Sequence, residues 1–228
     1  MTSYSRLNPS PMFKELTRQY QLMHSDGVQG KKDAPNTFPG KSLLEHVPLI
    51  KEMVKKSGSH TLIDYGCGKA ALYYSKDFNL NNGEIVDSIK SYWGVSEVKL
   101  YDPGVEEFSS FPNKKYDGLI STDVLEHIPE DDIDWVLNEC FSLAEKFIYM
   151  NIASYPALKK LPNGWNAHVT IKSPEWWRDK IEKASKDWAG LTYVFEVAEK
   201  RSGFMGRFIK ALGGGRYKVT RISMGFTS

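Results

Sequence analysis

The residues best suited to chemistry fall in three short runs. The first is Leu62-Ile63-Asp64-Tyr65-Gly66-Cys67-Gly68-Lys69-Ala70. Glycines at 66 and 68 allow a tight turn and a close approach of the backbone to a ligand. The turn feeds a predicted helix, whose first amides would face a pocket. A strand–turn–helix that binds nothing satisfies the same pattern. Asp64 adds a charge to it: a carboxylate two residues before the first glycine repels a pyrophosphate and attracts a cationic amino group. Gly66, Gly68 and Ala71 do meet the G-x-G-x-x-A spacing of dinucleotide-binding turns, so the charge at position 64 is what separates the two ligand classes. The second run is Tyr101-Asp102-Pro103-Gly104. An acidic residue at the end of that strand can accept hydrogen bonds from both hydroxyls of a ribose, and it also fits a plain Asp-Pro-Gly turn. The third run is Tyr116 to Pro129, in which a strand ends in polar residues and His127 either faces a reacting group or is structural.

Elements must hold these runs together. Met12, Phe13, Leu16, Tyr20 and Met23 recur at helical spacing after Ser10-Pro11, and Ser25-Asp26-Gly27 stops that helix. Ser42 and Glu45 form a possible capping box for a second helix through Lys56, complicated by Pro48. Thr61–Tyr65, Glu97–Tyr101, Tyr116–Ser121 and Lys146–Ile152 read as strands. Lys69–Phe78 reads as the helix after the glycines, and Asn79–Ser96 as an irregular polar insertion. Pro129 opens an amphipathic helix with Ile133, Val136, Leu137, Cys140, Phe141 and Ala144 on one face. Ser173-Pro174 opens another, with Trp177, Ile181, Ala184 and Trp188. Leu191–Val197 and Arg216–Met224 read as a closing strand pair. Alternating strands and helices imply a parallel sheet covered on both faces, with ligands beyond the carboxyl ends of the strands.

Taken together, I-D-Y-G-C-G-K, then Y-D-P-G, then Y-D-G-L-I-S-T-D-V-L-E-H-I-P resemble the class I methyltransferases that use S-adenosylmethionine (SAM). The match spans roughly 62–152. The resemblance implies a doubly wound α/β fold: a mostly parallel seven-stranded sheet with helices on both faces, Rossmann-like, with an N-terminal helical extension. It divides the chain into N-terminal helices over 1–58, a possible lid, and a SAM-binding domain over 59–228, the two forming one globular unit. It implies that Asp64, Gly66 and Gly68 contact the methionine part of SAM and Asp102 the ribose, with Thr122, Asp123 and Val124 beside the sulfonium and Tyr65, Cys67 and Pro103 also among the cofactor-binding residues. Ala70 stands where the family has a third glycine. The segment from Asp102 to Tyr116 is too short for a normal helix, which leaves Phe108 and Phe111 as candidates for packing on adenine or in the core.

Further groups fall near the ligand edge. His127, His168 and Asn166 are the candidate catalytic residues, the last two in the loop Leu161–His168. Tyr20, His24 and Asn166 are candidates for substrate binding. Phe38-Pro39-Gly40-Lys41-Ser42, with Tyr20 and His24, is a candidate lid. No Cys/His cluster has zinc-ligand spacing, and no metal is expected. Two cysteines, Cys67 and Cys140, suggest a reducing compartment. No apolar run approaches the ~20 residues of a membrane span and no secretory signal is evident, so a cytoplasmic protein is expected. Hydrophobic residues are 41% and charged residues 25%, a globular composition. Charge is uneven: twelve acidic and three basic residues lie between 101 and 150, and twelve basic and six acidic between 172 and 228. The basic segment 200–221, with Phe204, Met205, Phe208, Ile209 and Leu212, suits either an anionic partner or surface, or packing on the sheet. A small-molecule acceptor leads, with nucleic acid, protein and lipid acceptors open. Two other readings compete: an NAD(P)-dependent oxidoreductase or epimerase, and a silent methyltransferase-fold binding module.

Overall fold

The computed structural model describes residues 4–27, 37–80, 83–201 and 216–226; the basic apolar segment 203–215 lies outside them. The chain forms a mixed α/β architecture around a six-stranded sheet. In chain order the strands are β1 (Thr61–Tyr65), the short pair β2 (Phe78–Asn79) and β3 (Ile85–Val86), β4 (Glu97–Tyr101), β5 (Tyr116–Thr122), β6 (Ala144–Ala153), β7 (Thr192–Lys200) and β8 (Tyr217–Met224). The helices are α1 (Pro11–Asp26), α2 (Val47–Ser57), α3 (Ala71–Tyr74), α4 (Ile89–Trp93), α5 (Ile133–Leu143) and α6 (Pro174–Ser185). The large sheet runs β4-β1-β5-β6-β7-β8, parallel throughout except for the final antiparallel pair. β2 and β3 form a separate hairpin.

Side chains alternate between two cores because successive strand residues point to opposite faces. Ile63, Leu119, Ile148 and Phe195 bury one face against α5 and α6, where Trp177 and Ile181 are fully covered. Leu62, Ile120, Tyr149 and Val194 bury the other against α2 and α4. Both faces of the central parallel strands are therefore covered, as a parallel sheet requires, while the antiparallel edge strand β8 is largely exposed.

Several expectations need correction. The sheet has six strands among the described residues, not seven. The fourteen-residue link from Asp102 to Lys115 holds only the 3-10 turn Glu106–Phe108, too little chain for a further strand and its crossover. The Ser42–Glu45 capping box does not form: Lys41–Glu45 is a 3-10 turn without a side-chain cap, and Pro48 lies in the first turn of α2, where a missing N–H costs nothing. The helix expected over 69–78 shrinks to Ala71–Tyr74, ending at Ser75 in extended backbone. The irregular insertion 79–96 instead carries the β2–β3 hairpin and α4, which places Leu80, Val86, Ile89 and Trp93 in the second core. By contrast, Ser10 caps α1 by accepting from the Phe13 amide at 3.0 Å, and Ser173 caps α6.

The elements that matter most for a site are β1 and its neighbours. The chain leaves β1 for β4 on one side and returns to β5 on the other, so the strand order reverses at β1. α1 is carried across the carboxyl end of the sheet. Its start is tied to the start of α5, since the Ser10 amide donates to Asp132 Oδ1 at 3.0 Å and the Trp135 indole donates to the same oxygen at 2.7 Å. Arg6, just before it, pairs with Glu139 and donates to the Tyr101 hydroxyl at 2.9 Å.

β5 passes between β1 and β6 with no room for a side chain at Gly118. A Cβ there would lie 2.3 Å from the Phe147 ring and 2.7 Å from Leu62. Gly118→Ala should therefore destabilise the chain by ~1–3 kcal/mol, the usual cost of overpacking a core. Thermal melting checks this: a Tm equal to that of the native chain would show that the sheet can shift to admit the methyl.

Candidate functional site

A cavity of about 510 Å³ opens at the carboxyl ends of β1, β4, β5 and β6. This is the crevice in which doubly wound sheets bind ligands. Its floor is Asp64 to Gly68, its sides are Asp102–Gly104 and Thr122–Val124, and α1 and residues 38–43 cover it.

The glycine turn is shaped by close approach. Gly66 has φ +87°, and a Cβ there would lie 2.3 Å from Val124. Gly68 has φ +55°, and its Cβ would lie 2.5 Å from the Phe38 carbonyl. Both positions need a residue without a side chain, for backbone conformation as well as for space. The Phe38–Gly40 segment lies against the turn. Lys69 donates its amide to the Phe38 carbonyl at 3.0 Å, and Ala71 to the Pro39 carbonyl at 2.9 Å. This overturns the expectation that the amides at the start of the following helix face the pocket. Chain from before β1 has taken the places a phosphate would fill.

Asp64 is 3% exposed. Its Oδ2 accepts from the Tyr73 hydroxyl at 2.8 Å. Its Oδ1 is out of water with no hydrogen-bond partner. Burial pushes its carboxyl up to about 7; the Tyr73 bond works against the shift and the Asp102 charge adds to it. A buried carboxylate oxygen without a partner, on a cavity wall, is matched by a cationic ligand group. Asp102, at the end of β4, accepts from the Gly68 amide and the Gly104 amide, both at 2.8 Å. Burial raises its carboxyl, and those two bonds oppose the rise. Each oxygen keeps a further lone pair for a ligand hydroxyl.

The other predicted residues divide. Thr122, Asp123, Val124 and Pro103 line the cavity. Asp123 sits at φ +55° and is braced by Asn151: the Asp123 amide donates to Asn151 Oδ1 at 3.1 Å, and Asn151 Nδ2 returns a bond to Asp123 Oδ1 at 2.7 Å. Tyr65 and Cys67 also border the cavity, but the Tyr65 hydroxyl is spent on Glu139 at 2.8 Å. Cys67 packs with Ala70 and Phe108, and burial pushes its thiol up, away from nucleophile chemistry. Tyr20, His24, His127 and His168 line the upper wall. Tyr20 and His24 each pack a ring against Phe38, with centroids 5.6 Å apart. Burial holds the His24 imidazole near 4.

Asn166 is not on that wall. Its Oδ1 accepts from the amides of Ala157 and His168, both at 3.0 Å, and its Nδ2 donates to the Ala157 carbonyl at 2.9 Å. The side chain staples its own loop and has little left for an acceptor, so both roles expected of it are corrected. Phe108 and Phe111 also lie outside the cavity lining. Phe108 is core, and Phe111 packs under the Arg6 guanidinium at 3.9 Å.

His127 Nδ1 lies 2.7 Å from the Tyr20 hydroxyl and 2.8 Å from the Ala167 carbonyl. His168 Nδ1 lies 2.6 Å from the Tyr155 carbonyl. Burial lowers both imidazoles, His127 to about 4, where the neighbouring His168 adds to the effect. Sequence reasoning passed over three residues here. Tyr73 is one, signalled only by its place on the helix after the glycines. Asn151, near the end of β6, is another. The third is Glu126, a carboxylate inside an otherwise apolar run and fully buried.

Asp64 makes a stability prediction with a definite sign. The unfolded chain releases this proton near the ordinary carboxylate value, whereas the folded chain holds it to about 7. Between about pH 4 and 7 the unfolded chain has lost this proton while the folded chain still holds it, so stability falls as pH rises through that window and levels off above it. Tyr73 and Cys67 face the group and keep their protons throughout, while Asp102, itself raised by burial, shifts in the same direction as Asp64. Asp64→Asn keeps an acceptor for Tyr73 and removes the buried charge. Its Tm should exceed that of the native chain at pH 8, by roughly 2–4 °C for each kcal/mol regained, with a smaller gain at pH 5. Equal shifts at the two pH values would mean that Asp64 is not held up by burial.

No protein-family model matches the chain, and no curated protein matches it in sequence.

Proposed function

We propose that this chain is a SAM-dependent methyltransferase of the class I type, acting on a small-molecule acceptor. The observation that carries the reading is the partnerless oxygen of Asp64, buried on the wall of the switch-point cavity beside two glycines that admit no side chain. SAM carries an ammonium on its methionine part and no phosphate. Asp64 would take that ammonium, and Asp102 the two ribose hydroxyls. Gly66 and Gly68 let the ligand lie against backbone. A dinucleotide has less to bind here, since its diphosphate would meet Asp64 and would find the Lys69 and Ala71 amides already engaged.

When bound, SAM supplies a methyl group activated by its sulfonium for in-line displacement. The chain then chiefly aligns donor and acceptor, an effect worth ~7–11 kcal/mol in well-oriented systems. α1 and residues 38–43 shield the cavity from water. The acceptor has its place toward Tyr20, His127 and His168. A proton lost from an oxygen or nitrogen acceptor needs a receiver on that wall, and an imidazole nitrogen of His127 or His168 can take it. A cavity of about 510 Å³ falls in the range of small-ligand sites, which favours a small acceptor over nucleic acid, protein or lipid. Among the described residues no helix is long and apolar enough to cross a membrane, and we place the reaction in the cytoplasm.

Calorimetric titration with S-adenosylhomocysteine tests the pocket. The native chain should bind one equivalent, and Asp64→Asn and Asp102→Ala should each bind at least tenfold more weakly, about 1.4 kcal/mol. NAD should not compete. Undiminished binding in both variants, or preferential binding of NAD, would refute the reading.

A further inference from the structure

The turn after β5 holds a second arrangement, for which binding of the methyl donor has no use. Glu126 and His127 come from the 3-10 turn Leu125–His127, and His168 from the loop after β6. One ligand atom from each lies within 4.8 Å of the others. The His127 and His168 rings meet edge to face with centroids 4.9 Å apart.

Hydrogen bonding decides which atoms are free. A ring nitrogen against a carbonyl must carry the proton. His168 Nδ1 donates to the Tyr155 carbonyl; at His127 the Tyr20 hydroxyl donates to the Ala167 carbonyl at 2.9 Å, and with Nδ1 as the donor to that cluster the lone pair of each ring stands on Nε2. A backbone carbonyl on the far nitrogen is how ligating imidazoles are commonly oriented. Glu126 Oε1 accepts from the Ala153 amide at 3.1 Å, whereas Oε2 is buried with no partner at all. His168 Nε2 stands 4.0 Å from Glu126 Oε1, beyond hydrogen-bond reach. Imidazole and carboxyl therefore do not satisfy each other, and among the described residues a fully buried carboxyl oxygen is left without a hydrogen-bond partner.

We propose that Glu126, His127 and His168 form a binding site for a divalent transition-metal ion. Two imidazoles and one carboxylate suit zinc, manganese, iron(II) or cobalt, with coordination positions left open. Bonds of ~2.0–2.2 Å set neighbouring ligand atoms roughly 3–3.5 Å apart, so atoms within 4.8 Å of one another need to close in by no more than about 1.3–1.8 Å. His127 and His168 border the cavity, and the open positions are reached from it. An ion there would hold an acceptor oxygen and ease loss of its proton. The two histidines would then act through the metal instead of receiving the proton themselves. Sequence spacing hides the site, because two ligands are adjacent and the third comes from a distant loop.

The site does not depend on the methyl-donor reading, and its test uses no nucleoside, so the two can fail separately. The chelator-treated full chain is titrated with Zn²⁺ and, separately, with Mn²⁺ by calorimetry. The variants His168→Ala, His127→Ala and Glu126→Gln are titrated alongside, with circular-dichroism melting to establish that each folds. His168 lies at the cavity edge, so its variant carries the test should Glu126→Gln fail to fold. One ion per chain, bound at least tenfold more weakly by each folded variant, is the expected result. No saturable binding of either ion would overturn the proposal. So would stoichiometric binding that His168→Ala leaves unchanged, the mark of an ion on surface imidazoles such as His60.

Discussion

A carboxylate withdrawn from water is costly unless something opposite in charge or rich in donors meets it. At Asp64 the fold accepts that cost where the strand order reverses and the sheet opens onto a cavity. Among the described residues only Tyr73 hydrogen-bonds the side chain, on one oxygen. The second oxygen has burial without a partner. Much of the surrounding architecture follows from keeping that oxygen dry and reachable. The two glycines let the chain turn immediately beyond it. Val124 presses on Gly66, and the Phe38 carbonyl on Gly68. α1 lies across the top, anchored at its start to Asp132.

The same economy of donors shapes the ligand preference we propose. A short helix after a glycine turn would ordinarily offer its amides to an anion. Here residues 38 and 39 use two of them internally. A negative side chain and a tied-off helix start act in the same direction, against a diphosphate and toward a cation. Neither effect alone would separate the two ligand classes as well, because loops can move and a single carboxylate can take up a proton.

The opposite wall is governed by a different shortage. Between β5 and the loop ending at His168, polar atoms are set against backbone carbonyls that fix two imidazole rings, while Glu126 keeps one oxygen unmatched. Two unmatched carboxylate oxygens thus flank the region, one on the proposed donor side and one behind the proposed acceptor side. A cationic group on a nucleoside answers the first, and a metal ion answers the second.

How much of this was legible in the residues alone follows from the range of the forces involved. Strands β1 and β4 kept their expected bounds, and α5 and α6 buried the expected residues that fall within them, while α1 buried Leu16 and Met23 but left Met12 exposed, because periodicity and caps act over a few neighbours. The glycines and Asp64 stood out for the same reason. What depended on distant chain was not readable. Asn166 looked available until its loop folded back and engaged its side-chain oxygen twice and its amide nitrogen once. Pro48 found its place in the first turn of α2, where its missing N–H has no intrahelical partner to lose. The polar stretch after Asn79 supplied core residues through a hairpin whose pairing no local pattern announces. The meeting of Glu126 and His127 with His168 exists only because β6 and its following loop bring position 168 back beside the end of β5. Local sequence settled which side chains were present and which elements carried them. Long-range packing alone decided which polar atoms would find partners and which would be left without one, since a hydrogen bond to a remote segment has no signature until that segment arrives.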